Sequence, residues 1–263
     1  MAHFVHLSDL HMTVGTNHER IAGLLGHIAR SIPHMRQRPD FVVVSGDLTD
    51  RGDAESYAAL HPLIEAFPVP VVLSLGNHDR REAFHAVFGQ AGSDAPYDHD
   101  TVLAGVHVIS LDTLVPGHVA GSLDEAQLGW LQTALTRHPG LPKLIIAHHP
   151  PKTSEADRSW TCLDADSTAR LAALLEGHQV IAILSGHIHM NRMSLWRGMS
   201  LVASSGLQST IDVLHEEGLR ILDGASFALC RAEGGDFTVH FVPMLPEGRE
   251  IAMVDIARLS VSA

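Results

Sequence analysis

Five short apolar runs along the chain predict buried β-strands. Each is four or five residues long and consists mainly of aliphatic residues. The runs are Phe4–Leu7, Phe41–Val44, Val71–Leu75, Leu144–Ala147 and Val180–Leu184. Continuous apolar character over this length is typical of a strand that is buried on both faces. A sixth run, Val106–Leu111, has the same character and predicts a sixth strand.

Helical patterns lie between these runs. The spacing of Ile21, Leu24 and Ile28 predicts an amphipathic helix with one buried face. Further helices are expected over residues 53–67, 80–88, 122–135 and 168–175. Strands that alternate with helices indicate βαβ units, so we expect the five strands to form one largely parallel sheet.

Two of the helix starts carry capping signals. Ser122 and Glu125 match the S-x-x-E pattern of a capping box ahead of Leu128. Either Asp166 or Ser167 is expected to be the N-cap of the last helix.

The last quarter of the chain has a different pattern. Ser226–Arg231 and Phe237–Met244 are strand-like, and the glycine pair 234–235 between them predicts a hairpin turn. We expect a single domain over residues 1–263. Within it, residues 206–263 would form a C-terminal loop and a β-hairpin that completes a second sheet or forms a subunit contact.

Length and charge restrict the classes of function. The chain has 263 residues, which fits one domain with a sizeable core. Its 18 basic and 30 acidic residues give a formal net charge of −12. A negative field of this kind repels phosphate backbones, and no basic run marks a membrane-binding patch. We therefore expect neither a nucleic-acid partner nor a membrane partner.

Cysteine usage and the N-terminal sequence bear on location. Cys162 and Cys230 are far apart and belong to no C-x-x-C pair, which favours free thiols in a reducing compartment. The first residues lack the regions of a signal peptide, and no apolar run approaches the roughly 18 residues of a membrane span. We expect a cytoplasmic protein.

Polar residues follow each of the five predicted strands. Those with side chains that can bind metal are Asp9, His11, Asp47, Asn77, His78, Asp79, His148, His149, His187 and His189. The carboxyl ends of parallel strands lie at one edge of a sheet, where ligands bind. We therefore expect these side chains to converge on one site.

The donor types predict a site for two metal ions. Carboxylate, carboxamide and imidazole groups suit zinc, manganese or iron. About seven such ligands are too many for one four-coordinate ion with an open position. They suit two ions about 3.5–4 Å apart with one bridging carboxylate. Because the set contains no thiolate, a structural zinc site is not expected.

The same residues resemble the five sequence blocks of the calcineurin-like metallophosphoesterases. The blocks are D-x-H at 9–11, G-D-L-T-D at 46–50, G-N-H-D at 76–79, H-H-P-P at 148–151 and G-H-I-H at 186–189. They occur in the family's order and span most of the chain. Within the family they most resemble the bacterial class III cyclic nucleotide phosphodiesterases and the related glycerophosphodiesterases. The resemblance implies an α/β fold, a four-layer αββα sandwich of two mixed β-sheets flanked by helices.

The resemblance also implies a role for each residue at the site. One ion would be bound by Asp9, His11, His189 and Asp47, and the other by Asn77, His148, His187 and the bridging Asp47. His78 would reach into the substrate space without binding metal. Three neighbours are expected either to fix imidazole tautomers or to form surface caps and loop hydrogen bonds, namely Asp50, Asp79 and His149.

The activity implied by the resemblance is hydrolysis of a small phosphodiester. Two ions would neutralise phosphate oxygens and lower the pKa of a bound water, and the hydroxide would attack phosphorus. His78 and Asp47 would be catalytic, with His78 stabilising charge or protonating the leaving alkoxide. The substrate would be a cyclic nucleotide or a glycerophosphodiester. Manganese, iron, zinc and cobalt all suit the ligands. A homo-oligomer, dimeric or larger, is a further hypothesis.

Other activities on the same fold are weighed against this one. Residues 46–52 also resemble the protein Ser/Thr phosphatases, which carry Arg before and Glu after G-N-H, where this chain has Leu75 and Asp79. A monoester dianion favours an arginine clamp, so a diester is preferred over a phosphomonoester. A catalytically silent scaffold is disfavoured by the complete ligand set, and a nuclease by the net charge.

Two loops are expected to decide specificity. Residues 152–164 and 206–224 could each cover the site. Trp160, in the first loop, is expected to belong to the core rather than to contact a substrate. Arg51 is expected to form a salt bridge within its loop.

Overall fold

The computed structural model describes residues 1–89, 91–215 and 219–244. The five helices in this part are α1 (His18–Ser31), α2 (Ala54–Glu65), α3 (Arg81–Phe88), α4 (Glu125–Arg137) and α5 (Ala165–Leu175). The first seven strands are β1 (Ala2–Leu7), β2 (Phe41–Ser45), β3 (Val71–Ser74), β4 (His99–Leu103), β5 (Val106–Leu111), β6 (Lys143–Ala147) and β7 (Val180–Ser185). The others are β8 (Arg192–Trp196), β9 (Met199–Ala203), β10 (Ser209–Ile211), β11 (Ile221–Asp223), β12 (Ser226–Glu233) and β13 (Asp236–Pro243).

The strands form two large mixed sheets and a small ribbon. The first sheet has the order β13-β12-β1-β2-β3, and the second has the order β4-β5-β6-β7-β9-β8. Strands β1 to β3 are parallel to one another, as are β5, β6, β7 and β9. Strands β10 and β11 pair separately as an antiparallel ribbon.

The five predicted strands exist, but the expectation that they share one sheet is wrong. Strands β1, β2 and β3 belong to the first sheet, whereas β6 and β7 belong to the second. The C-terminal hairpin joins the first sheet, where β12 pairs antiparallel with β1. An apolar run indicates burial on both faces and does not specify which strand lies beside it. The predicted segment 206–263 lies partly outside the described residues, since 216–218 and 245–263 are not among them.

The core consists of three apolar layers that define a four-layer sandwich. Val5 of β1 packs with the helices α1 to α3, whereas the preceding residue, Phe4, points to the opposite face and lies between the two sheets. Ile145 of β6 packs with α4 and α5, whereas Ile146 faces the first sheet. Each central strand therefore contributes to two layers, which confirms the predicted αββα arrangement.

Both capping predictions are wrong by a few residues. Helix α4 begins after Asp124, which accepts a hydrogen bond from the Gln127 amide at 2.8 Å in a capping box. The Ser122 hydroxyl lies 3.2 Å from the Ser167 hydroxyl instead. Helix α5 begins after Asp164, which caps the Ser167 amide at 2.7 Å. Several acidic and hydroxyl residues precede each helix, so the sequence offers more than one acceptable cap.

No helix in the described residues combines the length and the apolar character that crossing a bilayer requires.

A buried ion pair links the helices of the first sheet to the second sheet. Arg81 of α3 donates through Nε and Nη2 to the Asp112 carboxylate, at 2.8 and 3.1 Å. Asp112 follows β5, is fully buried and also accepts from the backbone amides of Tyr97 and Leu114. The guanidinium therefore compensates the charge of a buried carboxylate that otherwise has only neutral donors at the amides of Tyr97 and Leu114.

Replacing Arg81 by leucine should destabilise the fold strongly. The change leaves the Asp112 charge buried without its cation, which costs about 3–5 kcal/mol of unfolding free energy. Urea unfolding followed by circular dichroism measures this loss. Arg170→Leu is the matched control, because its pair with Glu125 is exposed to solvent and should leave the midpoint nearly unchanged. Equal midpoints for the two variants would contradict the role of the pair.

Candidate metal centre

The predicted site residues lie at one edge of the sandwich, where strands of both sheets end. The segments after these strands are joined by backbone hydrogen bonds. The Asp9 amide donates to the Gly46 carbonyl at 3.1 Å, and the Gly186 amide donates to the His148 carbonyl at 3.0 Å. The His187 amide crosses between the sheets to the Asp9 carboxylate at 3.1 Å. The two sheets therefore supply one shared site.

One group of side chains surrounds the end of β1. His11 Nε2 lies 3.1 Å from His189 Nε2. The Asp9 carboxylate lies 3.4 Å from His189 Nε2 and 3.9 Å from His11 Nε2. The ligand atoms of these three residues all lie within 4.8 Å of one another, which is compact enough to surround one ion.

A second group lies beside it and shares Asp47. Asp47 Oδ2 lies 3.5 Å from His11 Nε2 and 3.3 Å from His148 Nε2. The ring of His187 lies 5.3 Å from that of His148. Asp47 is therefore within reach of both groups and occupies the place of a bridging ligand.

Main-chain carbonyls fix the tautomers of three of these histidines. His148 donates from Nδ1 to the Ser45 carbonyl at 2.8 Å. His189 donates from Nδ1 to the Ser209 carbonyl at 3.1 Å, and His187 donates from Nε2 to the Trp160 carbonyl at 2.7 Å. Each ring then keeps one nitrogen with a free lone pair, which is the form that binds metal.

Two buried acceptor atoms at the centre have no hydrogen-bond partner in the described residues. They are His148 Nε2 and Asn77 Oδ1. His148 Nε2 faces Asp47 Oδ2, so two atoms with lone pairs oppose each other unless a proton or a metal ion lies between them. Burying such atoms unpaired is costly, and a cation between them removes the cost. The residues present therefore fit divalent metal ions.

The pKa shifts at the centre also indicate a site that favours a cation. Burial lowers the pKa of His148, but the Asp47 and Asp9 carboxylates outweigh it and raise the pKa to about 9. Burial raises the pKa of Asp47, but His148, His11 and His78 hold it well below its usual range. The centre therefore stabilises a positive charge beside the Asp47 carboxylate.

Five of the predicted ligands have a left-handed backbone. These residues are Asp9, His11, Asp47, His187 and His189, and their φ angles lie between 42° and 68°. Only two other non-glycine residues in the described part of the chain have a positive φ. Such conformations are unfavourable for L-residues and concentrate at functional sites. The backbone is thus strained where the polar side chains converge.

Two glycines allow the strand ends to approach this closely. A Cβ atom at Gly76 would lie 2.2 Å from Asp47 Oδ1 and 2.7 Å from His148 Nε2. A Cβ atom at Gly186 would lie 2.4 Å from Asp9 Oδ2. No larger residue fits at either position without displacing a polar group of the centre.

Of the three residues expected to fix imidazole tautomers, only Asp50 contacts imidazole groups through hydrogen-bonding atoms. Its carboxylate lies 3.2 Å from His11 Nδ1 and 3.5 Å from His78 Nδ1. Asp79 takes the alternative role of a loop hydrogen-bonding residue, since it accepts from the backbone amides of residues 48, 49 and 76 and from the Tyr57 hydroxyl. Asp79 therefore joins two loops of the centre.

His149 also takes the alternative role of a loop hydrogen-bonding residue. Its Nδ1 lies 2.7 Å from the Thr113 hydroxyl, and its Nε2 donates to the Val119 carbonyl at 3.0 Å. With both ring nitrogens engaged, His149 has no free lone pair for a metal ion.

His78 stands at the open side of the centre. Its side chain is 41% exposed, and its ring lies 4.5 Å from that of His11. Nδ1 donates to the Asp50 carbonyl at 2.9 Å, which leaves Nε2 free. A cavity of about 740 Å³ begins here and is lined by Asn77, His78 and Arg51, among others. Arg51 forms no ion pair within the described residues, so the predicted loop salt bridge is not found.

Sequence reasoning missed the residues that hold the histidines. Ser45, Ser209 and Trp160 act through their main-chain carbonyls, and no side-chain motif marks such a role. The expectation that Trp160 is a core residue is wrong as well. It belongs to none of the three apolar layers and lines a surface cavity.

Comparison with known proteins identifies clear relatives. A family model described as "Calcineurin-like phosphoesterase" matches residues 2–191. A protein from Mycobacterium tuberculosis named as a cAMP/cGMP dual specificity phosphodiesterase is 32% identical over 259 residues, covering 94% of this chain and 80% of the relative. A glycerophosphodiester phosphodiesterase from Enterobacter lignolyticus is 26% identical over 226 residues, covering 81% of this chain and 80% of that protein.

The fold is shared with a solved structure of lower sequence similarity. A dimetal phosphatase from Danio rerio superimposes with a TM-score of 0.66 at 16% identity, covering 93% of this chain and 96% of that one. This similarity extends the match from the sequence blocks to the whole sandwich.

Adding a methyl group at Gly76 should empty the centre without unfolding the protein. Gly76→Ala pushes Asp47 and His148 apart, so most bound manganese should be lost after reconstitution. Elemental analysis of the dialysed protein measures the loss. Gly129→Ala is the control, because nothing lies within 4 Å of a Cβ there and the helix should gain about 0.5–1 kcal/mol. Unchanged metal content in Gly76→Ala would contradict the geometry described above.

Proposed function

Since the chain belongs to the calcineurin-like phosphoesterase family, we propose that it is a binuclear metal-dependent phosphodiesterase acting on a small phosphodiester, either a cyclic nucleotide or a glycerophosphodiester. The observation that carries this proposal is the placement of Asp47 between two groups of histidines, with His78 beside them on the open side.

The described geometry supports two ion sites with one shared ligand. Asp9, His11, His189 and Asp47 would hold one ion, and Asn77, His148, His187 and Asp47 would hold the other. When bound, two such ions supply positive charge for the phosphate oxygens and a water of lowered pKa. Manganese, iron, zinc and cobalt all suit these donors.

His78 is the residue placed to protonate the leaving group. Its Nδ1 is held by the Asp50 carbonyl, so Nε2 is the atom that faces the substrate space. The Asp50 carboxylate also lies 3.5 Å from Nδ1. Protonated His78 can therefore deliver a proton from Nε2 to the departing alkoxide oxygen and can first stabilise charge on the phosphate.

The position of His78 is set by the centre itself. Its backbone amide donates to Asp47 Oδ1 at 2.8 Å, so the loop that carries the ring is fixed to the shared carboxylate. Because the contact comes from the main chain, shortening the His78 side chain leaves it intact. The roles of the two residues can therefore be separated by substitution.

The chemistry of the site favours a diester. Leu75 and Asp79 stand where the protein phosphatases carry Arg and Glu, and the Asp79 carboxylate is buried among loop amides. A diester monoanion needs less compensating charge than a monoester dianion. The names of the relatives, which include cyclic nucleotide and glycerophosphodiester phosphodiesterases, support the same class of substrate.

Substitutions at His78 and Asp47 should separate catalysis from metal binding. His78→Ala should lose roughly 10²–10⁴-fold in turnover, the usual contribution of a general acid, while two metal ions per chain remain bound. Asp47→Ala should lose activity together with both ions, because each ion loses the shared ligand. Turnover and elemental analysis on the same preparations measure both effects. Full activity in His78→Ala, or two ions per chain in Asp47→Ala, would contradict the assignments.

A substrate panel tests the preference for diesters. With added manganese, the wild-type protein should hydrolyse bis-p-nitrophenyl phosphate and cyclic AMP or glycerophosphoethanolamine faster than p-nitrophenyl phosphate. The comparison is made by kcat/KM at equal metal loading, with chelator-treated protein as the blank. The highest kcat/KM on p-nitrophenyl phosphate would overturn the preference in favour of a phosphomonoesterase.

A further inference from the structure

A second cavity adjoins the segment that carries His187 and His189. It has a volume of about 260 Å³, and most of its lining is apolar. Trp160, Ile188, Met190 and Ile211 are among its walls, and three charged residues, Asp157, Arg158 and Arg192, also line it. This combination differs from the cavity at His78, where charged residues dominate the lining.

Three of its walls are attached directly to the metal centre. Ile188 lies between His187 and His189 in the chain. The Trp160 carbonyl accepts the hydrogen bond from His187 Nε2 at 2.7 Å. The Ile211 amide donates to the His189 carbonyl at 3.1 Å. The cavity therefore borders the segment that carries two of the predicted metal ligands, His187 and His189.

The segment that carries Trp160 is organised by its own hydrogen bonds. The Asp157 carboxylate accepts from the Thr153 amide and hydroxyl, each at 2.8 Å, and from the Ser154 amide at 2.9 Å. The Thr161 amide donates to the Arg158 carbonyl at 2.9 Å, which closes a short 3-10 turn around Trp160. A wall fixed in this way loses little entropy when a ligand packs against it.

The lining selects for a flat ring with polar edges. An indole and aliphatic side chains bury the faces of such a ring, and guanidinium groups can stack on it or donate to its edge. Glycerol and ethanolamine have no apolar surface to bury here. The volume lies below the range of about 300–1,000 Å³ typical of drug-sized ligands, so the cavity suits one ring system rather than a whole nucleotide.

We propose that this cavity is a nucleobase subsite, with the Trp160 indole as its aromatic wall, and that it makes the enzyme prefer nucleoside phosphodiesters over glycerophosphodiesters. The inference rests on the proposed function, which places the phosphate at the metal centre. Trp160 is then a specificity-determining residue whose side chain binds the base and whose carbonyl orients His187.

Binding of a base can be measured without metal or catalysis. Adenosine should quench the tryptophan fluorescence of the wild-type protein in a saturable manner, and glycerol should not. In Trp160→Ala the remaining residues, Trp130 and Trp196, should show no saturable quenching, because neither lines the cavity. Equal saturable quenching in wild type and Trp160→Ala would place the base elsewhere and overturn the subsite.

Kinetics with two chromogenic esters test the effect on specificity. The p-nitrophenyl esters of thymidine phosphate and of methyl phosphate share a leaving group and differ only in the nucleoside. Trp160→Ala should raise the KM for the thymidine ester by roughly 5- to 150-fold, the range expected for loss of one base–aromatic stack, with kcat little changed. The KM for the methyl ester should rise far less than that for the thymidine ester, and Trp160→Phe should restore most of the affinity for the thymidine ester.

A matched control comes from the ribbon that supplies Ile211. Leu214 follows β10, is 86% exposed and does not line the cavity. Leu214→Ala should leave both esters unaffected, whereas Ile211→Ala should raise the KM for the thymidine ester. Equal effects of Trp160→Ala on the two esters would overturn the subsite while leaving the phosphodiesterase intact. If metal-loaded wild type hydrolysed neither ester, the proposed function itself would fail, whatever the result with adenosine.

Discussion

The Asp47 carboxylate, placed between His11 and His148, is the interaction on which the rest of the site depends. All three side chains are buried or nearly so, and the nitrogen atoms that face the carboxylate lie within 3.5 Å of it. Lone pairs brought together in a low-dielectric interior repel unless a cation lies among them. The strained backbone at five predicted ligands costs about 1–3 kcal/mol at each residue. The fold therefore holds polar atoms in an arrangement that metal ions would stabilise.

Much of this centre could be predicted from the sequence, because its parts are local. Buried strands are recognisable in the sequence as short aliphatic runs. A polar residue that follows such a run, for example Asp47 or His187, lies at the end of the strand in whichever sheet that strand belongs to. The sequence could not predict which of the two sheets each strand joins. Val43 and Ile146 are both fully buried in the apolar layer between the sheets, yet their strands belong to different sheets. The residues whose main-chain carbonyls accept hydrogen bonds from the histidines, such as Ser209, could not be predicted either, because every residue has a carbonyl.

The surroundings of the centre differ from one side to the other. The cavity at His78 is lined by charged side chains, whereas the cavity at Trp160 is largely apolar. A diester presents two substituents to the protein, and each cavity suits a different chemistry. The sequence blocks that establish the family describe the atoms around the phosphate and give little information about these linings. Trp160 illustrates the difference, since its carbonyl accepts the hydrogen bond from His187 and the residue also lines the largely apolar cavity.

Anomalous diffraction from crystals grown with manganese tests whether two ions share the Asp47 carboxylate. Two peaks should lie about 3.5–4 Å apart, one on each side of the Asp47 carboxylate. The first should contact Asp9, His11 and His189, and the second should contact Asn77, His148 and His187. A single peak, or two peaks without a common contact to Asp47, would contradict the shared centre.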